Sequence, residues 1–109
     1  MMAPFRIAVL AGALVTLVTA CGSDGGGAPS AAELAKGKKV FVSSCGGCHT
    51  LSAAGTKGVS GGPLEGLSFS ESFVKQRVHD GGGGMPAFAH ELSSDEIEAV
   101  SAFVADATR

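Results

Sequence analysis

The sequence predicts a small all-α domain, and three observations carry that expectation. Three segments open on a Ser-x-x-Glu capping box: Ser30–Glu33, Ser68–Glu71 and Ser93–Glu96. Apolar residues follow each box at helical spacing. No stretch alternates apolar and polar residues as a half-buried strand does, and no internal repeat is visible.

The first helix should run from near Ala31 to near Ser44, with Leu34, Gly37, Val40 and Phe41 on one face. Gly37 lowers helix propensity but lets another helix approach closely. The second should follow the Ser68 box to about Asp80, with Phe73, Val74 and Val78 as a short apolar stripe. The third is the clearest. Ile97, Val100, Phe103, Val104 and Ala107 mark one face, and Asp95 and Glu96 sit in the first turn, where the macrodipole favours acids. Between the helices lie two connections rich in Gly and Pro, Thr50 to Leu67 and Gly81 to Leu92.

The 109 residues hold 8 Lys+Arg against 10 Asp+Glu, so nothing argues for nucleic-acid binding, and the length suits one domain. Residues 1–20 read as an export signal. Met1 to Arg6 carries one positive charge, and Ile7 to Ala20 is uncharged but short of the roughly 20 residues a membrane span needs. The segment ends Val18-Thr19-Ala20-Cys21. This tetrapeptide resembles the lipobox of bacterial lipoproteins. The resemblance implies that Cys21 takes a diacylglyceryl group on sulfur, becomes the mature N-terminus and tethers the protein to a membrane. An ordinary cleavage before an incidental Cys, or an uncleaved anchor, is the plainer alternative. Residues 21–30, rich in Gly and Ser, read as a flexible linker with a reach of roughly 15–18 Å. Residues 31–109 form the folded domain.

A core drawn from so short a segment usually needs a staple. With Cys21 given to lipid, only Cys45 and Cys48 remain, too close in sequence for a stabilising disulfide. A bound cofactor is therefore expected. Cys45-Gly46-Gly47-Cys48-His49 is the C-x-x-C-H pattern of covalent haem c attachment. Two thiols add across two vinyl groups, and the next residue, His49, is placed to bind iron. The glycines should permit the tight turn between the sulfurs. A thiol redox site and a structural zinc site are the competing readings. The first lacks its neighbouring strand, and the second needs a fourth ligand from His79, His90 or an acid.

Met85 stands 36 residues beyond His49 in Gly84-Met85-Pro86, and it is the one Met left after removal of Met1 and Met2. A lone Met is ordinarily packing material. Here Pro86 biases its backbone toward an extended form, and Gly81–Gly84 lets the chain run close to a flat ligand. Thioether sulfur is a soft axial ligand that raises haem potential.

Taken together, these motifs resemble the class I c-type cytochromes, especially the short bacterial and photosynthetic forms, over nearly all of residues 31–109. The resemblance rests on Cys45–His49 after the first helix, on Gly62-Pro63-Leu64, and on Met85-Pro86-Ala87-Phe88 after the middle helix. It implies three to four helices wrapped around one covalent haem, with His49 and Met85 as the axial iron ligands. It also implies that the Pro63 carbonyl accepts the ring N–H of His49, and that the first and last helices cross through Gly37, Phe41 and Phe103. Phe103 stands where relatives often carry Tyr or Trp.

Iron held on both faces has no open position, so one-electron transfer follows rather than catalysis. The expected protein is a monomeric, lipid-anchored carrier on the periplasmic or other extracytoplasmic side. It would pass electrons between donor and acceptor redox proteins of a respiratory or photosynthetic chain. The alternative is a haem enzyme or gas sensor in which Met85 leaves the iron free. His79, His90, the acids of the last helix, and Lys36, Lys38 and Lys39 are expected to be solvated.

Overall fold

A computed structural model describes residues 27–109. The proposed signal segment and Cys21 lie outside the described residues. Three helices form: α1 (Ala31–Ser44), α2 (Glu71–Asp80) and α3 (Ser94–Ala107). None of them is long and apolar enough to cross a membrane.

Each helix starts at a serine whose hydroxyl accepts a backbone N–H three residues on. Ser30 takes Glu33 N at 3.1 Å, Ser70 takes Phe73 N at 3.2 Å and Ser93 takes Glu96 N at 3.2 Å. The box is reciprocal at α3, where Glu96 accepts from Ser93 N at 2.8 Å. At α2 the cap is Ser70, not the expected Ser68. Ser68 has φ +51°, in the left-handed region, and its N–H is taken by the Thr108 carbonyl at 2.8 Å. Helical backbone therefore begins only at Glu71.

The helical scaffold is built on the crossing of α1 and α3. A Cβ placed on Gly37 would lie 2.0 Å from the Ala99 carbonyl oxygen and 2.7 Å from Phe103 Cβ, so glycine alone permits this approach. Phe41 and Phe103 meet just beyond it, with ring centroids 5.9 Å apart and planes tilted by 59°. Val40, Ile97, Val100 and Val104 complete the buried seam. On α2, Val74 and Val78 are buried, whereas Phe73 is 44% exposed. The end of α3 is tied down by Thr108, which is fully buried and accepts Phe69 N on its hydroxyl at 3.3 Å.

One feature departs from the all-helical expectation. A three-stranded sheet, ordered β2-β1-β3, joins β1 (His49–Leu51), β2 (Thr56–Lys57) and β3 (Gly62–Pro63). β1 pairs antiparallel with β2 and parallel with β3, where His49 faces Gly62 and Thr50 faces Pro63. Strands of two or three residues are too short to show a period of two in sequence. A 3₁₀ turn, Ser52–Ala54, bridges β1 and β2.

Candidate haem cleft

The C-terminus of α1, the loop before α2 and the loop after it enclose a cleft of about 540 Å³. That volume suits a cofactor-sized ligand. Cys45, Cys48, His49, Pro63 and Met85 all line it, so the fold gathers every domain residue that the sequence singled out for the cofactor. The apolar part of the wall includes Phe41, Val74, Phe88 and Val104. His79 and His90 are exposed and line no part of it. His79 instead bonds Asp80, Nδ1 to Oδ1 at 2.7 Å.

The Cys45–His49 segment is the turn that ends α1. Cys45 N–H donates to the Phe41 carbonyl at 2.9 Å, and the Cys45 carbonyl accepts from Cys48 N at 3.1 Å and His49 N at 3.0 Å. The turn is made without left-handed backbone at Gly46 or Gly47. Gly46 is needed for space instead, because a Cβ there would lie 2.5 Å from the Thr56 methyl. Cys45 is buried and Cys48 exposed. Burial pushes the Cys45 thiol up to about 11, and the neighbouring Cys48 adds to the shift. That direction is opposite to the depressed pKa of a reactive redox thiol. Among the described residues no three His, Cys, Asp or Glu side chains converge as a zinc site requires.

His49 is half-buried, and its Nδ1 lies 3.1 Å from the carbonyl oxygen of Gly62. A carbonyl only accepts, so Nδ1 carries the proton and the Nε2 lone pair is left free. The family resemblance implied the Pro63 carbonyl as this acceptor, and the structure corrects it by one residue. The parallel register sets Gly62 opposite His49 and Pro63 opposite Thr50, so the carbonyl beside the ring belongs to Gly62. Pro63 remains in the cleft wall. Gly61 packs under the ring, where a Cβ would lie 2.6 Å from His49 Cε1.

Met85 reaches the cleft on a turn without side chains. Gly81, Gly82, Gly83 and Gly84 all have positive φ, which only glycine adopts freely in sequence. Gly82 and Met85 exchange backbone bonds, Gly82 N to Met85 O at 2.9 Å and Met85 N to Gly82 O at 3.1 Å. The loop returns to α2 through Phe88 N and the Val78 carbonyl, 2.9 Å apart. Among the cleft residues that sequence reasoning did not place there are Phe69, Phe73 and Arg77. The Phe69 and Phe73 rings stack at 5.2 Å and 22°, and the Arg77 guanidinium carbon lies 5.8 Å from the Phe73 ring centre.

The donor set fits a covalently held haem: two thiols, an imidazole with one nitrogen free, and a thioether, all on one apolar cleft. Comparison with known proteins agrees. Residues 32–104 match the family described as cytochrome c oxidase, cbb3-type, subunit III. Cytochrome c6 of Cladophora glomerata is 40% identical over 81 residues, covering 67% of this chain and 87% of that protein. Cytochrome c6 of a Picosynechococcus species is 36% identical over 87 residues, covering 70% and 74%. The crystal structure of the c-type cytochrome SorU from Sinorhizobium meliloti superposes with a TM-score of 0.68 at 34% identity, over 72% of this chain and 94% of that one. With this match in sequence and fold, and with the cleft that carries it, the chain belongs to the cytochrome c family, as a carrier of single electrons on one covalent haem c.

Proposed function

We propose that Cys45 and Cys48 hold the haem through thioether bonds and that His49 and Met85 bind its iron from opposite sides, in a carrier tethered to a membrane by lipid on Cys21. The observation that carries the site is the meeting of these four side chains on one cleft, although Met85 lies 36 residues from His49.

The haem, when bound, supplies a one-electron Fe(III)/Fe(II) couple. The protein prepares the ligands. The Gly62 carbonyl fixes the His49 ring in one tautomer and one orientation, which is how a metal-binding His is ordinarily held. The glycine turn and Pro86 aim Met85. Phe41, Val74, Phe88 and Val104 exclude water, and a low dielectric disfavours the more highly charged oxidised state. With both His49 and Met85 holding the iron, the group would serve electron transfer rather than the binding of oxygen or substrate.

The tether rests on the sequence Val18-Thr19-Ala20-Cys21 after an uncharged run. It puts the domain on the periplasmic or another extracytoplasmic face, as a monomer between donor and acceptor proteins of a respiratory or photosynthetic chain. A redox-difference spectrum together with intact mass of the mature protein tests both parts. The expected mass is that of residues 21–109 plus one haem plus lipid. A mass without haem refutes the site, and a mass without lipid refutes the tether. Ready binding of carbon monoxide to the reduced protein at neutral pH would show an open iron position and overturn the Met85 assignment.

A further inference from the structure

Arg77 is the single permanently charged side chain that lines the cleft among the described residues. It stands in the last turn of α2, and three contacts fix its guanidinium. The carbon lies over the Phe73 ring at 5.8 Å. Nη1 reaches the Gly81 carbonyl at 3.5 Å. The same nitrogen fills the space beside Gly82, where a Cβ would lie 2.4 Å away. Gly82 is in turn bonded on both sides of its peptide to Met85. The cation is therefore seated against the turn that presents the thioether.

Among the described residues no carboxylate is ion-paired with it. Among the described residues the side-chain ion pairs are Lys75–Glu98, His79–Asp80 and Arg109–Asp106. Asp80 shares a shallow groove with Arg77 but is bonded to His79. A solvent-exposed cation held beside an iron couple would oppose the extra positive charge of the oxidised state.

We propose that Arg77 sets the reduction potential of this cytochrome upward through its uncompensated charge on the Met85 side of the cleft, an inference that rests on the His49–Met85 reading. Because the side chain is exposed at its outer edge, its field is screened by salt.

The test is spectroelectrochemistry of the haem-loaded parent, Arg77→Gln, Arg77→Met and Arg77→Lys at low and high salt, with the near-red absorption of Met-bound iron recorded for each. At one ambient potential, Arg77→Gln and Arg77→Met should lower the reduced-to-oxidised ratio by two- to tenfold, tenfold being about 59 mV for one electron. Arg77→Lys should keep most of the parent ratio. The gap should narrow as salt rises, and the near-red band should persist in every variant. Equal ratios in parent and Arg77→Gln would overturn the proposal. So would a gap that salt leaves unchanged, or one that appears only with loss of the band, since either result assigns the effect to structure rather than charge. A parent protein without the near-red band would instead refute the Met85 ligand itself, and this inference with it.

Discussion

Replacing Gly37 with alanine should destabilise the protein, although alanine is the better helix former. A Cβ at this site would lie 2.0 Å from the Ala99 carbonyl oxygen and 2.7 Å from Phe103 Cβ. Neither atom can rotate away, so α1 must lift from α3 by more than an ångström. Overpacking of this kind costs about 1–3 kcal/mol. Lifting α1 also loosens the Phe41–Phe103 contact, and such aromatic pairs contribute about 0.5–1.5 kcal/mol. The propensity gain of alanine over glycine offsets about 1 kcal/mol. The net loss is about 2 kcal/mol, which lowers the melting temperature of a domain this size by about 8–16 °C. Thermal unfolding of the haem-loaded protein, followed by far-ultraviolet circular dichroism, reads the change. Ala35→Gly, on the exposed face of the same helix, is the control and should cost about 1 kcal/mol by propensity alone. If Gly37→Ala melts at or above the parent, the helix crossing is not what requires glycine here.

Other outcomes follow from the same contacts. Met85→Ala should abolish the near-red band, lower the reduction potential and open the reduced iron to carbon monoxide; an unchanged spectrum would remove Met85 from the iron. Ser93→Ala removes the hydroxyl that accepts Glu96 N, while the backbone N–H of residue 93 can still donate to Glu96; the lost cap should cost about 1 kcal/mol, a drop of several degrees in melting temperature. Thr108→Val keeps the shape of a fully buried side chain but leaves Phe69 N without its acceptor, which should cost about 1–3 kcal/mol in denaturant unfolding. The exposed Lys75–Glu98 pair joins α2 to α3, and the Lys75 hydrogen bond and charge hold the Glu98 carboxyl below its ordinary range. A depressed carboxylate pKa stabilises above that range and loses its effect as pH falls through it. The stability difference between the parent and Lys75→Met should therefore shrink as pH drops below about 4.

The sequence made the helices legible because their signals are local. A serine cap, acids in the first turn and apolar residues at i, i+3 and i+4 are all read within one segment, and α1 and α3 appear with the bounds expected. The residues that meet on the cleft were equally legible, since C-x-x-C-H is contiguous and Met85 is isolated in a glycine turn. What stayed hidden depends on partners remote in sequence. Ser68 looks like a cap until Thr108, some forty residues away, captures its N–H. The choice of Gly62 over Pro63 as acceptor for His49 is set by a two-residue parallel pairing that no periodicity announces. Phe73 satisfies the apolar spacing of α2 yet faces the cleft, because stacking on Phe69 holds it there rather than in the core. Arg77 could have been suspected only from its place one turn before the glycine run.

The direction of α1 has a consequence for how an anchored molecule would sit. Fourteen helical residues rise about 20 Å. The leash from Cys21 joins this rod at Ala31, and the thiols of the haem site stand at its other tip, from Cys45 onward. Under the anchoring proposed, the start of the folded domain and the two cysteines are separated by the length of a helix. With such a tether, the thiol-bearing tip would stand a helix length from the point where the linker joins the domain.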